Sequence, residues 1–122
     1  MKDLMLIKKV YENAARLHAK ASVDGDYRTA NKQALILRGI FRDIEKGKIV
    51  NTILLELLEK EDISIKVWAA AHLLGLRYDI EKSKNVLQHI KSLKGKTSEE
   101  NIVIFNAEKT LEVWEKRGYL KF

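Results

Sequence analysis

Residues 67–76, Val-Trp-Ala-Ala-Ala-His-Leu-Leu-Gly-Leu, are apolar on nearly every face of a helix, with His72 the single interruption. A helix without a polar face has to be surrounded by other elements. The run falls well short of the roughly 20 apolar residues that span a bilayer, and charged amphipathic stretches flank it. It therefore predicts the central helix of an all-α domain, around which the remaining helices must be arranged.

The flanks supply those helices. The chain has no proline and 6 glycines, so helices can run between a few clear breaks. The spacing predicts about six helices. The first covers residues 3–21, with Leu4, Ile7, Tyr11, Ala14 and Leu17 at helical spacing. The second starts at Asp26, a residue suited to cap free amides, carries Ala30, Ala34, Leu37, Phe41 and Ile44 inward, and closes at Gly47. The third covers residues 48–60 and packs Val50, Ile53, Leu54, Leu57 and Leu58. Asp62 or Ser64 caps the fourth, which ends near Gly75. The fifth spans residues 79–93, with Val86, Leu87, Ile90 and Leu93 inward. Thr97 and Glu100 then form a capping-box pattern, opening a sixth helix through Val103, Ile104, Ala107, Leu111 and Trp114 to Gly118. The tail, Tyr119-Leu120-Lys121-Phe122, is apolar enough that it should fold back on the last helix.

Paired helices cannot each bury an apolar stripe alone, and stacking them creates one shared core. The expected architecture is three antiparallel pairs in one domain, residues 1–122. The first pair (3–46) acts as a cap, the later helices occupy 48–117, and the tail is 118–122. Trp68, Ala71, Leu74, Leu111 and Trp114 are the expected core structural residues. A chain of 122 residues with 46% hydrophobic content is long enough to bury about two thirds of its unfolded surface.

Within helices 3 to 5, Leu57-Leu58, Asp62, Val67, Ala70-Ala71, Leu74-Gly75 and Val86-Leu87 together resemble a HEAT repeat, with Lys66 just before Val67 and Trp68 where a basic residue usually follows. The wider span from helix 3 to Trp114 resembles a bacterial domain-of-unknown-function family of small HEAT-like, armadillo-type proteins. That resemblance implies a short HEAT/ARM-like α-α superhelix and brings no catalytic residues with it.

Chemistry-bearing groups are sparse. There is no cysteine, which removes disulfides, thiolate metal sites and cysteine nucleophiles. His72 reads as a core imidazole satisfied by one hydrogen bond. His18 and His89 lie on other helices without metal-ligand spacing. Glu56, Glu59, Glu61 and Asp62 read as a wet helix face and a cap. The serines lack the elbow motif that exposes a nucleophile, and no phosphate-binding glycine loop is present. No catalytic, cofactor-binding or metal-ligating residue is assigned, and no cofactor is implied.

The net charge is +6 with a pI near 9.5, which points to an acidic partner or nucleic acid. The charge is evenly spread: 12 basic and 9 acidic residues lie in 1–61, and 11 and 8 in 62–122, so each half carries +3. The candidate contacts for phosphate or an acidic partner are Lys84 and Lys91 on the fifth helix and Arg38 and Arg42 on the second. The expectation is a cytoplasmic, non-enzymatic protein-protein interaction module, of the kind an immunity or regulatory protein would be, with no membrane partner. A nucleic-acid-binding protein using its basic helix faces is the alternative.

Overall fold

In the computed structural model, which describes residues 3–122, six helices follow one another: α1 (Leu4–Asp24), α2 (Tyr27–Glu45), α3 (Thr52–Leu58), α4 (Ile63–Gly75), α5 (Ile80–Lys91) and α6 (Ser98–Arg117). No strand occurs among the described residues. Local chemistry sets most of the ends. Asp3 accepts from the amides of Met5 and Leu6 at the start of α1, Asp26 from Thr29, Asp62 from Ser64 and Thr97 from Glu100, so α1, α2, α4 and α6 each begin with a donor satisfied. At α6 the reciprocal half of the capping box is displaced by one residue: the Glu100 carboxylate accepts from the Lys96 amide at 2.9 Å. Gly25 and Gly118 stop α1 and α6 in the left-handed conformation, with φ of 71° at both, which only glycine adopts without a steric penalty.

The helices pack in pairs, α1 on α2, α3 on α4 and α5 on α6, with α4 also against α5. As its sequence requires, α4 is surrounded: it touches α1, α3, α5 and α6, and Ile65, Val67, Ala69, Ala70, Ala71, His72, Leu73 and Leu74 are all buried. α1 meets α6 directly, so the first and last helices close around α4. One hydrophobic cluster runs through the whole chain, from Tyr11 to Trp114.

Four inward assignments change. Val50 is 52% exposed, and Ile49 is buried in its place. Gly47, at φ +79°, ends α2 in a turn in which the Lys48 and Ile49 amides return to the Asp43 carbonyl, so α3 begins only at Thr52. Leu17 is exposed because, at about 100° per residue, it falls off the face defined by Tyr11, Ala14, Ala15 and Ala19. Leu4 opens α1 and is exposed there, and Leu93 lies beyond the end of α5 and is exposed as well. Among the expected core residues, Ala71, Leu74, Leu111 and Trp114 are buried. Trp68 is only half-buried, packed against the core with one side of its ring open.

The tail folds back, and it travels farther than the last helix. Leu120 packs on the core cluster, and the Phe122 ring reaches Phe41 of α2 and His72 of α4, with centroids 4.9 and 4.7 Å apart.

Candidate functional site: a basic cleft across the central helix

The open side of α4 is where helical spacing gathers unlike residues. Val67 and Trp68 stand one turn before Ala71 on it. Asn31, Ala34 and Arg38 face them from α2, His18 from α1, and Asn106, Lys109 and Thr110 from α6, all at spacings that keep residues on one helix face. Together with Phe122 they enclose a cleft of about 340 Å³. That volume lies at the small end of the range for ligand sites. A second cavity of about 350 Å³ adjoins it, lined by Val113, Arg117, Leu120 and Lys121 and sharing Ala71, Lys109, Thr110 and Phe122 with the first.

The electrostatics of the paired cavities have one sign. Arg38, Lys109, Arg117 and Lys121 contribute cations, and neither lining contains an aspartate or glutamate. Among the described residues, Arg38, Arg117 and Lys121 form no ion pair. Lys109 is held 3.1 Å from Glu112 and stands over the Phe105 ring. Both members of that pair are half exposed, so the contact is worth little and the lysine is free to swing. His18, edge-on to Trp68 at 5.1 Å, has its pKa lowered by burial and then by the nearby Arg38 charge, so it lines the cleft as a neutral imidazole near pH 7.

Behind the cleft lies a fully buried polar pair. Tyr11 Oη and His72 Nδ1 are 2.7 Å apart. Burial lowers the His72 pKa to about 3 and raises that of Tyr11, so both are neutral. His72 is ringed by Phe41, Trp68 and Phe122, and its Nε2 has no hydrogen-bond partner. Among the described residues, no group of three His, Cys, Asp or Glu side chains could hold a metal ion.

The four basic residues singled out in the sequence separate into different environments. Arg38 lines the cleft, whereas Arg42, one turn on, is exposed outside it. Lys84 leans toward Glu115 of α6 at 3.7 Å, and its neighbour Lys82 pairs with Glu59 at 2.7 Å. Carboxylates from adjacent helices thus cross the basic face of α5, leaving Lys91 exposed at its end. Lys109, Arg117 and Lys121 escaped the sequence reading. The series Asn106, Lys109, Thr110, Val113 and Arg117 recurs at i, i+3, i+4, i+7 and i+11, a mixed polar stripe that marks a face neither buried nor fully solvated.

The fold and cleft define an all-α protein with a cationic, aromatic-walled groove on its central helix. Comparison with family models, curated proteins and solved structures finds no match. Among the described residues, no helix is long and apolar enough to cross a membrane.

Proposed function

We propose that this chain is a non-enzymatic, cytoplasmic binding module of HEAT-like type that holds an acidic partner protein across the cleft, in the manner of an immunity or regulatory protein. One observation carries the reading: two adjoining cavities, joined at the Phe122 ring and Lys109, are lined between them by four cationic side chains with no aspartate or glutamate in either lining. Several basic side chains elsewhere are matched, Lys8 with Glu56, Lys60 with Glu12, Lys82 with Glu59 and Lys84 with Glu115, whereas Arg38, Arg117 and Lys121 have no ion pair among the described residues. Cations left unmatched around a concave apolar surface favour an anionic partner and steer its approach. The pairing of α3 with α4 and of α5 with α6 supports the HEAT-like description. Nucleic acid is the alternative partner, favoured by the exposed Lys91 and Arg42 outside the cleft.

The test is capture of partners by the tagged full chain at low and high salt, with and without nuclease, beside two double variants. Arg38→Glu with Lys109→Glu should abolish capture of a stoichiometric protein that nuclease does not release, and Lys84→Glu with Lys91→Glu should leave it intact. The reverse pattern, or recovery of nucleic acid alone with steep loss in salt, would transfer the function to the α5 face.

A further inference from the structure

Phe122 sits in the cleft wall the way a ligand would. Its ring contacts Phe41 and His72 and lies over Gly75, where an added Cβ would stand 2.8 Å from Phe122 Cε2. Glycine at 75 therefore leaves a seat of ring size at the end of α4. The seat lies between the two cavities, since Phe122 lines both. Arg38 lines one cavity, Arg117 and Lys121 line the other, and Lys109 lines both.

The seat also adjoins an unsatisfied atom. Tyr11 occupies His72 Nδ1, and the two imidazole nitrogens project in widely different directions. Nε2 thus points away from Tyr11, among the carbon rings of Phe41, Trp68 and Phe122, fully buried and without a partner. A buried polar atom left in this state costs free energy, which a group able to hydrogen-bond there would recover. The Phe122 ring offers only carbon to it. It is carried by a segment outside the helices, beyond the end of α6 at Arg117, so its ring can leave without any helix unwinding.

We propose that the Phe122 seat is the anchor pocket for the acidic partner: a partner segment inserts a tyrosine, whose phenol oxygen can accept from Nε2, displaces Phe122, and sets flanking carboxylates on Arg38 and Lys109 to one side and on Arg117 and Lys121 to the other. This rests on the cleft being the acidic-partner site and adds how the partner is recognised. Buried aromatic anchors ringed by weaker polar contacts are the usual energetic centre of an interface, and the half-open groove on both sides of the seat suits an extended segment.

The experiment titrates isotope-labelled full-length protein with three peptides: Ser-Asp-Asp-Tyr-Asp-Asp-Ser, the same peptide with alanine for tyrosine, and the tyrosine peptide with every aspartate replaced by asparagine. The readouts are Kd, the ring-nitrogen shifts of His72 and the Phe122 amide signal. The acidic tyrosine peptide should bind about tenfold or more tighter than the alanine peptide and move both signals. Phe122→Ala, with the seat already vacant, should bind it several-fold tighter still. Equal binding of the tyrosine and alanine peptides, with the asparagine peptide silent, would overturn the anchor and leave the basic cleft standing. Binding of the asparagine peptide as tight as its acidic parent would overturn the acidic-partner reading. Silence from all three would overturn both, and weaker binding by Phe122→Ala would show Phe122 to be a fixed wall.

Discussion

Tyr11 Oη and His72 Nδ1 form a 2.7 Å hydrogen bond between helices α1 and α4 with both side chains completely withdrawn from solvent. Among the described residues neither group has another polar partner, so this bond serves the phenol and Nδ1 and leaves Nε2 unpartnered. With the phenol as donor to Nδ1, the imidazole proton stands on Nε2. An N–H directed among aromatic faces is tolerable where a lone pair would be repelled.

Removing the hydroxyl is therefore expected to cost more than an average hydrogen bond. Tyr11→Phe keeps the ring and its packing but strands Nδ1 without a donor, a loss of about 1 to 3 kcal/mol. Urea denaturation of the variant beside the parent measures it. An unchanged midpoint at equal slope would mean that the pair contributes nothing to stability.

The same burial makes stability pH-dependent. His72 has a pKa of about 3 in the folded chain against the ordinary 6.5, so the unfolded state takes up a proton that the folded state refuses. Stability is fully present above pH 6.5 and declines as pH falls toward 3, with a slope of up to about 1.4 kcal/mol per pH unit. His18, also lowered, adds a smaller contribution of the same sign. Urea midpoints between about pH 7 and pH 5, above most carboxylate titration, should fall steadily in the parent and much less in His72→Gln. Parallel curves would sink the assignment.

Central and peripheral positions of α4 should separate cleanly. Leu74 is completely buried, and Leu74→Ala should cost about 2 to 5 kcal/mol. Trp68 keeps an open side toward the cleft, so Trp68→Ala should cost less stability and more binding. Thermal unfolding and the peptide titrations read the two effects. A larger stability loss at Trp68 than at Leu74 would return the indole to the core.

The contrast between these residues shows what the sequence could disclose. That α4 is enclosed follows from its apolar periphery alone, and the caps at Asp26, Asp62 and Thr97 follow from the affinity of short polar side chains for free amides. Burial of Trp68 does not follow, because a hydrophobic ring at core spacing looks the same whether the neighbouring helix stops short or covers it. The cleft was harder still. Arg38, Lys109 and Phe122 come from α2, α6 and the tail, and nothing local to any of them reports the other two. The pairing of Lys84 was out of reach for the complementary reason: its carboxylate, Glu115, lies 31 positions away on α6, beyond any helical-spacing argument.

Gly75 tests whether the tail is a fixed part of the core or a movable occupant of it. An alanine Cβ there would meet Phe122 Cε2 at 2.8 Å and Phe41 Cε1 at 3.3 Å. The first contact is too close to persist, and the atom involved is the far end of a side chain on a segment outside the helices. The tail should therefore yield before α4 does. Replacing glycine near the end of a helix by alanine gains at most about 1 kcal/mol of helix propensity, which offsets the partial loss of Phe122 packing. Gly75→Ala should change the unfolding midpoint little, while the aromatic protons of Phe122 lose the ring-current shifts imposed by Phe41 and His72. A drop of more than about 2 kcal/mol, the scale of a large buried side chain uprooted from a core, would show that the Phe122 ring belongs to the fold and that its seat is not open to another occupant.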